Sequence, residues 1–223
     1  MAAGTLVSRV LGFVKTFLIT VALGATTTVG DIFETANTLP NLIYVLVAGG
    51  IFNAVLVPQI IKAAKHDDGG SDFISRLVTL AVCGIAAVTA VVVICAMPII
   101  SIMGSEWSPE QQRFGFVFAL WCFPQIFFYG LYTIIGQVLN ARGAFGWFMW
   151  APVVNNIVAI AALIIFITSF GAQDVTTTPP FHNLTSWTSA QTIVLAGSAT
   201  LGVALQALIL FIPLRKLGLN LRP

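Results

Sequence analysis

Two cations stand inside the first long apolar stretch of this chain: Arg9 and Lys15, between Thr5 and Leu23, in the run Ser8-Arg9-Val10-Leu11-Gly12-Phe13-Val14-Lys15. At the centre of a membrane helix a Lys or Arg costs about 2.5 to 3.5 kcal/mol on insertion scales, so such residues face a protein interior or a wet cavity. The chemistry open to the pair is to hold an anion where water is scarce. Ser8, Gly12 and Lys15 fall at i, i+4 and i+7 and share one stripe, with Arg9 about 100° around from Ser8. Arg9 is near enough to the end of the stretch to reach the membrane surface by snorkelling. Lys15 lies as far from either surface as this helix allows.

A second polar face follows. Asp31, Glu34, Thr38 and Asn41 recur at i, i+3, i+7 and i+10, a stripe that starts at the outer surface and descends inward. Polar faces on consecutive helices point to a shared cavity. Asp31 is the nearest counter-ion for Lys15, which lies about 10 Å deeper by helix rise. The alternative is that Asp31 and Glu34 cap the outer end of the second helix, where carboxylates suit the helix dipole. Gln125, Gln137, Asn155, Asn156 and Gln206 are further amides in apolar surroundings, expected mainly to hydrogen-bond between helices.

The elements that carry these residues are set by composition. Of the 223 residues 58% are hydrophobic and only 8% charged, with a mean hydropathy of +0.97, which excludes a soluble domain of this size. The class is all-α, a polytopic membrane bundle. Length and breaker residues place six spans, at Thr5 to Leu23, Ile32 to Ile61, Phe73 to Met103, Phe114 to Leu139, Phe148 to Phe170 and Thr192 to Leu214. The second carries Pro40, Gly49, Gly50 and Pro58 and is expected to tilt, kink or break. Lys62, Lys65, Arg76, Arg142, Arg215, Lys216 and Arg222 lie beside even-numbered loops or in the tail, against Arg113 alone on the other side. Cations accumulate in the cytoplasm, so both termini are expected there. The first span, with two cations in its core and no basic leader, is expected to be retained rather than cleaved as a signal peptide.

Enzymatic chemistry finds little support. His66 and His182 fall on opposite sides of the membrane in this topology and cannot share a metal, and no phosphate loop, nucleophile elbow or metal-binding helix motif occurs. No metal or cofactor is expected. Cys83, Cys95 and Cys122 all sit in apolar spans, where a thiol behaves as a small hydrophobe. Scattered basic residues give no nucleic-acid patch. The loop from Gly171 to Ala190 reads as a solvated connection, and Asn183-Leu184-Thr185 in it fits a glycosylation acceptor at chance frequency.

Several segments in order resemble the MurJ/MviN family of lipid II flippases. They are Ser8-Arg9-Val10-Leu11-Gly12-Phe13 with Lys15, Asp31, Leu39-Pro40-Asn41-Leu42, Val57-Pro58, Leu139-Asn140-Ala141-Arg142 with Phe145-Gly146, and Ala151-Pro152-Val153-Val154-Asn155-Asn156. The last is most similar to actinobacterial members. The resemblance implies two six-helix lobes around a cationic cavity, with two further helices forming a lipid groove; residues 1–223 correspond to the first lobe, so the chain is expected to be a fragment or to work with a separate carboxy-terminal lobe. It also implies a bacterial plasma-membrane protein, and lipid II and membrane lipids as partners. The function implied is to move lipid II outward by alternating access. By the same resemblance Arg9 matches a cavity arginine. Lys15 stands where many members have a second arginine, keeping the charge and losing the bidentate fork. Asp31 matches that cation's acidic partner, and Ser8 and Asn41 match polar cavity positions. Tyr44 and Gly49 depart from the arginine and glutamate common in Gram-negative members. Alternatives are an exporter of another polyprenyl-linked glycan or a drug, and a non-transporting scaffold for cell-wall synthesis proteins; an intramembrane enzyme would need an acid, base or nucleophile set that is not visible.

Overall fold

The computed structural model describes residues 2–24, 27–47, 58–59, 71–172 and 184–216. Its helices are α1 (Ala2–Leu23), α2 (Thr28–Val47), α3 (Ser71–Ile94), α4 (Ala96–Met103), α5 (Pro109–Cys122), α6 (Gln125–Ala141) and α7 (Phe145–Phe170). A 3-10 turn at Leu184–Ser186 leads into α8 (Ser189–Thr192), a π turn (Ile193–Gly197), α9 (Ser198–Leu208) and α10 (Phe211–Lys216). No strand occurs among the described residues, as the all-α reading expects.

The span count differs from the six expected. Among the described residues five helical runs are long and apolar enough to cross a bilayer: Ala3–Leu23, Phe73–Ile94, Pro109–Ala141, Phe145–Phe170 and Ser189–Lys216. α2, at 20 residues, reaches about the 30 Å of a hydrocarbon core. It falls out of the set because Asp31, Glu34, Thr38 and Asn41 interrupt its apolar sequence. The expected continuation at 48–57, 60 and 61 lies outside the described residues, as do Gly49, His66, His182 and Asn183.

Prolines explain where long spans break. Pro98 has no N–H for the Ile94 carbonyl, and the third span divides at Cys95 into α3 and α4. Pro124 separates α5 from α6, where the N–H groups of Ile126 and Phe127 donate instead to the carbonyls of Phe123 and Pro124, at 3.0 and 3.2 Å. Near Pro213 the chain tightens in the same manner, with Leu210 donating to Ala207 and Ile212 to Ile209, both at 3.2 Å. By contrast, α2 runs on through Pro40 and α7 through Pro152. Helix starts are capped reciprocally: Ser108 with Gln111 opens α5, and Thr188 with Gln191 opens α8.

Among the described residues three apolar clusters form the core, the smallest of them Ala96, Ile100, Ala119 and Phe123. One joins Ile74, Val78 and Ile85 of α3 with Ile126, Ile134, Ile135 and Leu139 of α6 and with Leu210 and Leu214. Another joins Leu23 of α1, Ile32 and Phe33 of α2, Phe118 of α5, Phe166 of α7 and Leu195. Outward faces are apolar as a lipid solvent demands; Leu80 and Ile94 of α3 are 71% and 80% exposed. α7 and α9 approach closely through Gly202, where an added Cβ would collide with the Asn155 side-chain oxygen and lie 3.2 Å from its carbonyl oxygen. Gly202→Ala is therefore expected to lower the unfolding free energy of the purified protein by about 1–3 kcal/mol, read as a reduced melting temperature in detergent.

Candidate functional site

The end of α1 and the start of α2 bring the two polar helix faces to one recess. α1 ends at Gly24, whose φ of 84° is readily adopted by glycine, and its N–H donates to the Thr20 carbonyl at 2.8 Å. Thr27 then caps α2: its hydroxyl donates to the Leu23 carbonyl at 2.6 Å and accepts from the Gly30 N–H at 3.1 Å. Asp31 falls in the first turn of α2, where the helix dipole favours a carboxylate.

Two recesses lie along the inner face of α1. The first, about 510 Å³, is lined by Arg9, Gly12, Phe13, Lys15 and Thr16 of α1 and by Asn156 of α7. The second, about 210 Å³, is lined on α1 by Thr16, Ile19 and Thr20 and on α2 by Asp31, Glu34, Asn37 and Thr38, among others. Thr16 belongs to both. The hydroxyls of Thr16 and Thr20 donate back to the carbonyls of Gly12 and Thr16, at 3.1 and 3.2 Å, so their oxygens remain able to accept.

The expected site residues are thus divided between two places. Arg9, exposed, and Lys15, half-buried, share the first recess. Asp31, Glu34 and Thr38, all exposed, line the second. Among the described residues neither Lys15 nor Asp31 has an ion-pair partner. Ser8 is turned to α7, where the Asn156 Nδ2 donates to its carbonyl at 2.9 Å and to its hydroxyl at 3.2 Å. Asn41 is exposed on α2 and lines neither recess.

The intramembrane amides mostly join helices. Asn155 donates to the Gln206 Oε1 at 3.0 Å, Asn156 binds Ser8, and Gln125 donates to Asn37 and Thr200. Tyr44 is stacked on Tyr129 with ring centroids 5.2 Å apart and takes a hydrogen bond from Thr133 at 2.9 Å, so it is packed against α6. The residues that the reading of stripes did not select are Asn37, Thr16 and Thr20. Thr16 follows Lys15 directly, and Asn37 precedes Thr38.

Fold and recesses together define a polytopic α-helical membrane protein with separate cationic and acidic polar recesses along one helix. A family model described as lipid II flippase MurJ matches residues 19–223. The chain belongs to that family. It is 28% identical to a probable lipid II flippase MurJ of Rhizobium tropici over 99% of this chain and 39% of the relative. It is 30% identical to the lipid II flippase MurJ of Burkholderia cenocepacia over 72% of this chain and 32% of that protein. A solved structure described as lipid II flippase MurJ in an inward closed conformation matches with a TM-score of 0.67 and 21% identity, covering 96% of this chain and 41% of that one. That likeness establishes the fold, and the chain spans about two fifths of the length of these full-coverage matches.

If the recesses are wet, position should govern labelling. In the full-length protein bearing Cys83→Ser, Cys95→Ser and Cys122→Ser, we expect Lys15→Cys and Asp31→Cys to react with a charged, water-soluble thiol reagent. Leu80→Cys, on an exposed apolar face of α3 expected to meet lipid, should stay unmodified. Mass spectrometry of the labelled protein reads the difference.

Proposed function

We propose that this chain is the amino-terminal lobe of a lipid II flippase, with the Arg9 and Lys15 recess as the place where the lipid's pyrophosphate is held. The observation that carries this reading is the pairing of an exposed and a half-buried cation in one open recess on a membrane helix. The polyprenyl tail of lipid II can stay in hydrocarbon, but the pyrophosphate and glycopeptide cannot cross about 30 Å of it unaided. Charge-assisted hydrogen bonds from Arg9 and Lys15 replace the water that the phosphates give up.

In this reading the chain sits in the bacterial plasma membrane with both termini in the cytoplasm, and the acidic recess lies toward the outer side. A carboxy-terminal lobe completes the cavity, and rocking of the two lobes exposes the headgroup first inside and then outside. No covalent bond is made or broken, so the protein is a transporter and not an enzyme. Separating Lys15 from Asp31 leaves the cation available for phosphate on loading, while the nearby carboxylates limit how tightly the anion is kept.

The test uses cells depleted of the full-length protein and resupplied at matched membrane abundance, with outer-leaflet lipid II measured by an impermeant probe. Wild type and Lys15→Arg are expected to restore exposure. Lys15→Ala is expected to lower the rate about ten- to hundredfold, the loss of a hydrogen bond to a charged group. Equal restoration by Lys15→Ala would sink the phosphate role. Failure of wild type itself would hand the assignment to another polyprenyl-linked substrate or to a scaffold.

A further inference from the structure

A hydrogen-bonded chain centred on the buried Gln125 connects the acidic recess to the break between α5 and α6. At that break the Trp121 carbonyl accepts from the Thr200 hydroxyl at 2.5 Å. The Gln125 Nε2 donates to the Thr200 Oγ1 at 3.2 Å and to the Asn37 Oδ1 at 3.0 Å. Gln125 is 1% exposed, whereas Asn37 is half-buried and forms part of the recess wall.

The polarity of this chain follows from its far end. A backbone carbonyl can only accept, so Thr200 spends its single proton on Trp121 and its oxygen must accept from Gln125. Gln125 therefore presents its N–H₂ group at this junction. Asn37 must answer that nitrogen with its carbonyl oxygen, which leaves the Asn37 N–H₂ for the recess. A freely rotating asparagine could offer either end.

We propose that Gln125 and Thr200 are positioning residues that hold the Asn37 amide with its N–H₂ toward the acidic recess, where it donates to an uncharged acceptor oxygen of the substrate headgroup. The proposal rests on the lipid II reading and deepens it. Asp31 and Glu34 repel a phosphate from this recess and accept hydrogen bonds, the Thr16 hydroxyl, whose proton goes to Gly12, also accepts, the Thr38 hydroxyl does either, and Asn37 contributes an oriented donor. That mixture matches sugar hydroxyls and peptide amides. The two recesses then divide the headgroup, with the pyrophosphate at Arg9 and Lys15 and the glycopeptide beside Asn37.

Thr200 makes a clean test because it reaches the recess only through Gln125. The full-length protein, purified in detergent, is titrated with lipid II and separately with a polyprenyl pyrophosphate that carries neither sugar nor peptide. Thr200→Val and Asn37→Asp are each expected to weaken lipid II binding about three- to tenfold, the loss of one neutral hydrogen bond, and the charge-neutral Thr200→Val is expected to leave the bare pyrophosphate lipid unaffected. Asn37→Asp keeps the acceptor for Gln125 and loses the donor to the recess. Thr200→Ser, which keeps the hydroxyl, should bind as wild type, and Asn37→Asp with Thr200→Val should be no weaker than Asn37→Asp alone. Undiminished lipid II binding by Thr200→Val, or an equal loss for both lipids with a lowered melting temperature, would overturn the positioning role and leave the lipid II reading standing. A wild type that binds neither lipid would overturn both.

Discussion

Hydrocarbon offers no hydrogen bonds, so a polar group placed within a bilayer has to find its partner inside the protein or beside a wet cavity. Much of the detail in this chain follows from that demand. The threonines at 16, 20, 79, 89 and 168 donate back to carbonyls three or four residues earlier, so their hydroxyls can sit in helices with little neighbouring water. Asn155 finds Gln206 on another helix, and Asn156 finds Ser8. Where Pro124 breaks the backbone ladder, the Thr200 side chain serves the Trp121 carbonyl. Lys15 and Asp31 have no ion-pair partner among the described residues, and both face recesses.

The separation of charge along α1 has a physical consequence. Opposite charges in contact at low effective dielectric bind each other strongly, and each would then be less available to a ligand. Thr16 belongs to both the cationic and the acidic recess, so the two lie side by side along α1. In the proposed transport cycle this suits an anionic group joined to an uncharged polar one. A single collapsed ion pair would suit neither.

Periodicity revealed what lies on one helix and was blind to what joins two. The cations of α1 and the stripe of α2 could be read because residues three, four and seven apart share a face. Length and breaker residues count α2 among the plain spans, but the polar stripe that marks the recess makes it less apolar than the five runs long and apolar enough to cross among the described residues. Asn37 escaped notice because it sits at the edge of the stripe, about 40° beyond Asn41 at 100° per residue. Nothing local marks its partner, since Gln125 lies 88 positions away. Prolines were legible as interruptions, but their outcomes differed: Pro98 and Pro124 divide helices, whereas Pro40 and Pro152 are accommodated within them. Whether a freed carbonyl finds a replacement donor depends on side chains far away in sequence, as Thr200 does for Trp121.

An apolar residue in place of the buried Gln125 would add apolar contact, yet it would leave the Asn37 oxygen without its donor. Burying a polar group without a partner costs about 1–3 kcal/mol, so the junction is consistent only as a set. Gln125, Asn37 and Thr200 come from three helices, and their bonds require α2, α6 and α9 to meet in one arrangement. Purely apolar contacts would tolerate small slides of those helices with little change in energy, whereas a polar chain with fixed ends does not. The site therefore gains a defined wall from groups that add little net stability, and the direction of its amide is set by a carbonyl exposed at a helix break.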